Sequence, residues 1–404
     1  MNRLVLIGNG FDLAHGLKTS YENFLYWYWQ KRFSNIYEES TNTSTDILCS
    51  ITTLKYESWR LFMHHNYQSL PKWSEREYFS KLCDKNNYSI KYSPFFKRIY
   101  NSIGTLGWVD IENEYYNLLK KYALEDSSMS AVGELNAQLQ YIQNLLVEYL
   151  KSIEISDRLL KTDIRQKIYA PIKKEDISIE GTNALNEHID SGLNLSYEDM
   201  EYKLRCYGSN CYTQGYVDDY REQYKRKDSL MDPPIELLLP DKIMLVNFNY
   251  TRTAKLYLKE GEIFSVNQIH GSLEDPSSVI FGYGDELDKD YMTILDKNEN
   301  KFLGNIKSIR YLEANNYRKI LSFIESAPYQ ILIMGHSCGN SDRTLLNRLF
   351  EHKNCVSIKP YYYKKNERTD SYLELVENIS RNFTDMNLMR DRVVNKSFCE
   401  LLTQ

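Results

Sequence analysis

The sequence lacks the features that would direct it into or across a membrane. No run of apolar residues approaches the roughly 20 that a transmembrane helix needs, and the apolar stretch that ends at Gly8 is too short for a signal peptide. The seven cysteines include no CxxC pair and no arrangement that completes a zinc site, so we expect reduced thiols and no zinc. The sequence therefore predicts a soluble, cytoplasmic protein with no membrane partner.

A basic excess is missing as well. The 404 residues include 50 basic and 55 acidic ones, which give a net charge of −5. A general nucleic-acid binder would carry a positive balance, so the charge argues against nucleic acid as the partner. Apolar residues make up 42% of the chain, which is typical of a globular protein with a sizeable core.

Five short apolar runs predict the strands of a parallel sheet, because strands that are covered on both faces read as continuous apolar segments. The runs cover residues 4–7, 242–246, 263–269, 279–281 and 330–334. Ligands of open α/β sheets bind beyond the carboxyl ends of the strands. The polar residues that follow the runs are therefore expected to line one crevice.

The long segment after the first run has a different pattern. Thr19, Ser20 and Glu22 resemble a capping box that opens a helix through about Phe33. Residues 34–50 are rich in Asn, Ser and Thr and are typical of a loop. From about residue 46 to residue 180 the pattern is mostly helical, and its longest amphipathic helix is expected over 131–154.

These patterns predict a discontinuous architecture. Residues 1–33 and 236–404 would form one α/β domain, and residues 34–235 would be a mainly helical insertion, of which 181–235 is too polar to assign. The insertion's helices could pack within the subunit or against a second copy in a homo-oligomer, and the sequence leaves both open.

The segment Gly8-Asn9-Gly10 follows the first run. Two glycines permit a tight turn whose amide groups can approach a phosphate. The third glycine of the dinucleotide-binding fingerprint would fall at position 13, which is Leu13. A nucleotide contact and a purely structural turn therefore both remain open.

Polar residues also follow the second and third runs. Asn249 could bind a ribose or orient a water molecule, whereas Thr251 could simply cap the next helix. His270 could accept a proton near neutral pH, although a structural role is open too. Gly271, which follows His270 in the sequence, indicates that some group approaches the backbone closely.

The last run ends in Gly335-His336-Ser337-Cys338-Gly339, which matches the G-x-S-x-G nucleophile elbow of α/β hydrolases. The only later histidine is His352, 15 residues beyond Ser337, whereas a catalytic triad needs a histidine from a separate loop. A serine hydrolase is therefore the weaker reading. In the alternative, Ser337 and Asp342 contact a ribose or a phosphate.

Two acids, Asp110 and Glu112, open a predicted helix just after Trp108. They could favour the helix N-terminus, or a carboxylate could reach the crevice. A metal-dependent nuclease is a further alternative, in which Asp12, Asp110, Glu112 and Asp342 would supply the ligands.

Together these segments resemble the AbiH family of bacteriophage abortive-infection proteins, over almost the whole chain. The residues that carry the resemblance are Leu6 to Leu13, Ser20, Tyr21, Phe24, Trp108, Asp110, Glu112, Asn249 to Thr251, His270, Gly271, Gly335 to Ser337, and Asp342. Their order is also similar to that of the sirtuin core, in which the matching positions are Gly8, Gly10, Asn249, His270, Gly335 and Ser337.

The resemblance implies a Rossmann-like, sirtuin-like α/β domain with a pocket for NAD. Thr251 stands where sirtuins have the aspartate that holds the nicotinamide amide, and the sirtuin zinc module is absent, so a peptide deacylase is not expected. Instead, the resemblance implies an abortive-infection effector that hydrolyses the nicotinamide–ribose bond of NAD, with a phage-encoded trigger as a further partner. A sensor that binds NAD or ADP-ribose without turnover is the alternative that Thr251 favours.

The resemblance also implies roles for single residues. His270 and Asn249 would be catalytic. The nucleotide-binding residues would be Gly8, Asn9, Gly10, Phe11, Asp12, Glu112, Thr251, Gly271, Gly335, His336, Ser337 and Asp342.

Overall fold

The computed structural model describes residues 1–36, 39–66, 87–106, 110–125, 127–153, 160–208, 215, 218–219, 222–223 and 233–403. The chain forms two compact units. The first consists of Met1–Leu17, Ile155–Ile280 and Ser308–Gln404, and the second of Lys18–Glu154 and Phe281–Lys307. Within the described ranges, none of the helices combines the length and the apolar content that crossing a lipid bilayer requires.

A parallel sheet of five strands forms the centre of the first unit. With strands numbered along the whole chain, they are β1 (Asn2–Ile7), β5 (Ile243–Asn247), β6 (Phe264–Gln268), β7 (Tyr329–Met334) and β8 (Cys355–Tyr361). Their order is β6-β5-β1-β7-β8, and every neighbouring pair is parallel. The prediction of an α/β fold with a parallel sheet is therefore confirmed.

One predicted strand is wrong, and one strand was not predicted. Residues 279–281 form no strand but follow a short 3-10 helix, and their side chains are buried in an irregular loop. The strand β8 was missed because Ser357, Lys359 and Pro360 interrupt its apolar pattern. Proline removes a ladder donor and is tolerated on an edge strand, and β8 is at the edge of the sheet.

The sheet separates two apolar cores, because successive side chains of a strand point to opposite faces. Val5 and Ile7 of β1 belong to one core, whereas Leu4 and Leu6 belong to the other. All four side chains are fully buried. Because both faces of β1 are buried, its sequence is a continuous apolar run.

Helices cover both faces of the sheet. In the first unit, with numbering along the whole chain, they are α1 (Asn9–Ala14), α7 (Thr162–Tyr169), α8 (Thr182–Leu193), α9 (Tyr197–Tyr207), α12 (Asn316–Ser326), α13 (Arg343–Phe350), α14 (Tyr372–Ser380) and α15 (Met386–Arg392), and α11 (Lys307–Arg310) begins at the boundary between the units.

The two units divide the chain differently from the predicted boundaries at residues 33 and 236. The helices α7, α8 and α9 contribute Ile164, Leu185 and Leu204 to the same apolar core as Val5 of β1, so this part of the expected insertion belongs to the first unit. The polar segment that could not be assigned contains α8 and α9.

The second unit combines helices with a small antiparallel sheet. Its helices are α2 (Tyr21–Ile36), α3 (Trp59–Asn66), α4 (Pro94–Leu106), α5 (Ile111–Leu124), α6 (Met129–Ile153) and α10 (Tyr291–Asp296). Its strands are β2 (Thr43–Thr45), β3 (Cys49–Thr53) and β4 (Tyr88–Tyr92), in the order β2-β3-β4. The expectation of a loop at 34–50 and of helices beyond it overlooked this sheet, in which β-branched Thr and Ile fit a pleated surface.

The long amphipathic helix is confirmed as α6. Leu135, Leu139, Ile142 and Leu146 recur at helical spacing, and all four are buried. The start of α2 differs slightly from the prediction. The hydroxyl oxygen of Ser20 accepts the backbone N–H of Asn23 at 3.2 Å, and the same hydroxyl donates to Oδ1 of Asn23 at 2.7 Å, so Ser20 caps the helix.

Candidate functional site

The carboxyl ends of the central strands converge in the first unit. Strand β1 is at the middle of the sheet, and the chain adds β5 and β6 on one side of it but β7 and β8 on the other. Ligands of parallel sheets bind at such a reversal of strand order. Gly8 follows β1, Asn249 follows β5, His270 follows β6 and His336 follows β7, so the sequence-predicted clusters meet at this edge.

The glycine turn after β1 packs tightly against the turn after β7. A Cβ atom at Gly8 would lie 2.5 Å from the Cα of His336, and one at Gly10 would lie 2.9 Å from the Cα of Gly335. Gly335 has a φ of +76°, and a Cβ there would lie 2.1 Å from the backbone nitrogen of Phe11. Close contact between two backbones therefore explains all three glycines.

The amide groups of the same turn already have acceptors. The N–H of Gly10 donates to the carbonyl of Gly335 at 2.8 Å, and that of Gly8 donates to Met334 at 3.3 Å. The N–H of Phe11 donates to the carbonyl of Gly8 at 2.9 Å. The amides of Gly8 and Gly10 hold the ends of β1 and β7 together, and that of Phe11 closes the turn itself, so these three amides do not form the phosphate cradle that the two glycines suggested.

A buried carboxylate between two imidazoles is the main polar feature of this edge. Nε2 of His270 lies 3.2 Å from Oδ1 of Asp342, and Nε2 of His336 lies 3.5 Å from Oδ2 of the same carboxylate. His270, His336 and Asp342 are 4%, 6% and 8% exposed. The three residues come from two loops that are 65 residues or more apart in sequence.

Hydrogen bonds define the orientation of His336. Its Nδ1 accepts the backbone N–H of Cys338 at 3.0 Å, so the neutral ring carries its proton on Nε2, which faces Asp342. Cys338 itself is fully buried in a left-handed conformation with a φ of +54°. Burial and the nearby Asp342 raise the pKa of the Cys338 thiol, which keeps it protonated and excludes it as a thiolate nucleophile.

Two aromatic residues that were not predicted complete the cluster. The ring of Phe248 contacts both imidazoles, with centroids 5.3 Å from His270 and 4.1 Å from His336. The phenol oxygen of Tyr311 lies 3.1 Å from Nε2 of His270. Phe248 directly precedes the segment Asn249 to Thr251, which carries part of the family resemblance. No sequence pattern around Tyr311 indicated a role for that residue.

Amide side chains connect β5 and β6 to the glycine turn. Nδ2 of Asn249 donates to the carbonyl of Gly8 at 2.9 Å, and the backbone N–H of Asn249 donates to Oδ1 of Asn247 at 3.2 Å. Nδ2 of Asn247 donates to Oε1 of Gln268 at 2.7 Å. Asn249 is half-buried, so its side chain is fixed and remains in reach of a ligand.

The hydroxyl of Thr251 binds a buried carboxylate and does not cap the next helix. Its Oγ1 donates to Oδ2 of Asp12 at 2.7 Å, and both residues are almost fully buried. The 3-10 helix that follows begins at Thr253, and its N-cap residue, Arg252, makes no side-chain capping bond. The alternative of a capping threonine is therefore wrong.

Replacing Thr251 by valine is expected to lower the free energy of unfolding by about 1.5–3 kcal/mol, because a hydrogen bond to a buried carboxylate is lost. Urea denaturation of the purified chain measures this difference. Thr251→Ser, which retains the hydroxyl, is the control and should be less affected. A valine variant as stable as the wild type would contradict the role given to this contact.

Gly271 and the G-x-S-x-G segment have structural explanations as well. A Cβ at Gly271 would lie 2.1 Å from the carbonyl oxygen of Ser278, so the close approach is made by the protein's own loop. Ser337 is exposed, and the strained residue of its turn is Cys338. His352 is paired with Glu325 at 3.0 Å, so the one histidine that follows Ser337 in sequence has a different partner.

Three predicted nucleotide-binding residues have other surroundings. Asn9 is exposed, whereas the ring of Phe11 is fully buried against His15 and Tyr257. Glu112 belongs to the second unit, where it accepts the N–H of Gly282 at 3.0 Å and pairs with Lys307 at 2.9 Å.

Asp110, near Glu112, stabilises the N-terminus of a helix, which is the first of the two roles that the sequence left open for these acids. Oδ1 of Asp110 accepts the N–H of Asn113 at 3.0 Å and caps α5. Trp108 lies outside the described residues. In the described ranges, no three His, Cys, Asp or Glu side chains are close enough to hold a metal ion. The four carboxylates of the nuclease alternative are divided between the two units, with Asp12 and Asp342 in the first and Asp110 and Glu112 in the second.

Replacing Lys307 by methionine is expected to cost about 3–5 kcal/mol of unfolding free energy, because it leaves the buried Glu112 carboxylate without its cation. The Glu112→Gln/Lys307→Met double variant should recover most of this loss, since glutamine still accepts the N–H of Gly282 without a charge. Chemical denaturation compares the three proteins. If Lys307→Met unfolded at the same denaturant concentration as the wild type, the ion pair would not stabilise this unit.

Comparison with known families identifies the chain. The family model for bacteriophage abortive infection AbiH matches residues 4–363. This range includes the carboxyl-edge cluster, which consists of His270, His336, Asp342, Phe248 and Tyr311. No individually curated protein matches the sequence significantly. A match over most of the chain shows that the protein belongs to the bacteriophage abortive infection AbiH family.

Proposed function

We propose that this AbiH protein is an abortive-infection effector that binds NAD at the carboxyl edge of its parallel sheet and hydrolyses the nicotinamide–ribose bond. One observation carries the proposal: His270 lies 3.2 Å from the buried carboxylate of Asp342, at the edge where parallel sheets bind their ligands. A carboxylate that orients an imidazole is a recurring arrangement for general-base catalysis. The family supplies the biological role, which is defence against bacteriophage by abortive infection.

The proposed reaction assigns one task to each residue. Asp342 accepts the Nε2 proton of neutral His270, which leaves Nδ1 as the basic nitrogen of the ring. A water molecule attacks the anomeric carbon of the nicotinamide ribose, its proton passes to His270, and the glycosidic bond breaks with both bonding electrons going to nicotinamide. Asn249 orients the ribose or the water. The products are ADP-ribose, neutral nicotinamide and one proton.

The glycine turn has a different task in this proposal from the one that the sequence suggested. The amides of Gly8, Gly10 and Phe11 are bonded within the protein, so they cannot hold the pyrophosphate. The amides of Gly8 and Gly10 fix the end of β1 against the end of β7, and thereby keep Asn249 and His336 in place. The similarity to the sirtuin core supports NAD as the substrate through Asn249, His270 and Ser337, which follow β5, β6 and β7.

The test measures nicotinamide and ADP-ribose released from NAD by the wild type and by Asn249→Ala. Equal amounts of the two products are expected, with release by the variant slower by roughly tenfold or more, as expected for the loss of a positioning hydrogen bond. Identical rates for both proteins would reject the mechanism.

A sensor of NAD or ADP-ribose is the second candidate, and one contact favours it. The hydroxyl of Thr251, at the position where sirtuins hold the nicotinamide amide, is already donated to Asp12. Calorimetry separates the two candidates: tight binding of NAD without product after long incubation supports the sensor. If neither binding nor product is detected, both candidates are rejected.

A further inference from the structure

A cavity of about 310 Å³ lies on one face of the five-stranded sheet of the first unit. Arg3 of β1, Gln330 of β7, and Lys359 and Tyr361 of β8 line it from the sheet, and Lys167 lines it from α7. None of the residues of the carboxyl-edge cluster lines it. Its volume is at the lower end of the range for small-molecule sites, about 300–1,000 Å³.

Arg3 is the unusual residue of this cavity. Its side chain is 2% exposed, and its Nη1 donates to the carbonyl oxygens of Ile168, at 2.9 Å, and of Ala170. Nε and Nη2 both donate to Oε1 of Gln330, at 3.2 and 2.9 Å. A guanidinium has five N–H groups, and these contacts use four of them. Every acceptor in them is neutral.

The other charges of the cavity are balanced locally. Nζ of Lys359 lies 2.9 and 3.1 Å from the two carboxylate oxygens of Asp176, and both residues are buried. Nζ of Lys167 lies 3.8 Å from the carboxylate of Asp163, and Nζ of Lys173 lies 3.5 Å from that of Glu400. All four of these residues also line the cavity. Among the residues that the structure describes, no carboxylate forms an ion pair with Arg3, and the nearby Asp176 carboxylate is already paired with Lys359. Arg3 is therefore the one lining cation without a carboxylate partner of its own in the described part of the chain.

A buried guanidinium without a carboxylate is costly, and burial lowers the pKa of Arg3 accordingly. An oxyanion in the cavity would supply the missing negative charge and accept the remaining N–H. Burial also raises the pKa of the Tyr361 phenol, which stays neutral and can donate a hydrogen bond.

We propose that this cavity binds a small anionic metabolite through Arg3, with Lys167 and Tyr361 at its sides. The group that Arg3 recognises is an oxyanion, either a phosphate or a carboxylate, because its one remaining N–H can donate a charge-assisted hydrogen bond to an oxygen of either group. This site is separate from the proposed NAD site and does not depend on it.

Isothermal calorimetry with inorganic phosphate and with succinate, at an ionic strength held constant with sodium chloride, tests the proposal. The wild type should bind at least one of the two probes, and the probe that binds identifies the chemistry. Arg3→Met should weaken this binding by tenfold or more, as expected when a charge-assisted hydrogen bond is lost. Ala170→Leu keeps every charge but fills part of the cavity, so it should weaken binding even if Arg3→Met fails to fold.

Lys255→Met is the matched control, since it removes one positive charge from an exposed ion pair with Glu274 outside the cavity. It should bind the probe as tightly as the wild type does. The proposal is overturned if the wild type binds neither probe, if Ala170→Leu binds as tightly as the wild type, or if Lys255→Met weakens binding as much as the cavity variants do.

Discussion

The His270→Ala variant is expected to cleave NAD about 10²–10⁴ times more slowly than the wild type, which is the usual contribution of a positioned general base. His270 is 4% exposed and has two polar partners at Nε2, the Asp342 carboxylate and the Tyr311 hydroxyl. These contacts hold the ring in one orientation and stabilise the imidazolium that forms when the water proton is transferred. Alanine supplies neither the base nor the orientation.

Two further variants make this result specific. Asp342→Asn should also slow cleavage, because an amide cannot stabilise the imidazolium as a carboxylate does. His352→Gln is the control, since His352 is likewise a buried histidine paired with a glutamate, Glu325, but is not part of the cluster. Initial rates of nicotinamide release compare the four proteins. An His352→Gln variant as slow as His270→Ala would indicate a loss of folding and not of a base.

The Gly335→Ala variant is expected to lose about 3 kcal/mol of unfolding free energy or more. Gly335 has a φ of +76°, which costs a residue with a side chain about 1–2 kcal/mol. Its new Cβ would also lie 2.1 Å from the backbone nitrogen of Phe11 and 2.6 Å from the carbonyl carbon of Gly10. Backbone atoms cannot rotate away, so β1 and β7 would have to separate.

Gly16→Ala separates the two contributions. Gly16 has nearly the same φ, +78°, but an added Cβ there would meet no atom within 4 Å. This variant should show only the conformational cost of about 1–2 kcal/mol. Denaturant unfolding compares it with Gly335→Ala, and equal losses would contradict the tight contact between the two turns.

The sequence was sufficient to predict the central sheet wherever strands are covered on both faces. The runs that became β1, β5 and β7 are largely apolar because their side chains are buried on both faces of the sheet. The run at β6 is more polar and only partly buried, because β6 is at the edge of the sheet. The strand β8 could not be recognised in this way, because its buried polar residues depend on distant partners. Lys359 is buried against Asp176, and Ser357 is bonded to Gln330, and neither partner is near β8 in sequence.

The candidate site was predictable in its location but not in its contacts. The rule that ligands bind at the carboxyl ends of parallel strands was enough to group Gly8, Asn249, His270 and Gly335. The pairing of His270 with Asp342 spans 72 residues, and no local pattern specifies it. Glu112 shows the opposite case, because its position before an amphipathic helix could not reveal that Lys307 would neutralise it.

The glycines show why a turn motif alone was ambiguous. A glycine is needed wherever another group approaches the backbone closely, and the sequence does not say whether that group is a phosphate or a second peptide. At Gly8 and Gly10 it is the backbone at Gly335 and His336, and at Gly271 it is Ser278. The same residues are compatible with both readings until the hydrogen-bond partners of their amides are known.

A crystal structure of the His270→Ala variant soaked in NAD is the most direct test of the nucleotide site, because this variant should bind the dinucleotide without cleaving it. We expect the nicotinamide ribose to lie beyond the ends of β5 and β6, within hydrogen-bond distance of Asn249 and next to the space left by the imidazole. NAD bound at any other surface of the protein, with no density beside Asn249 and Asp342, would contradict this prediction.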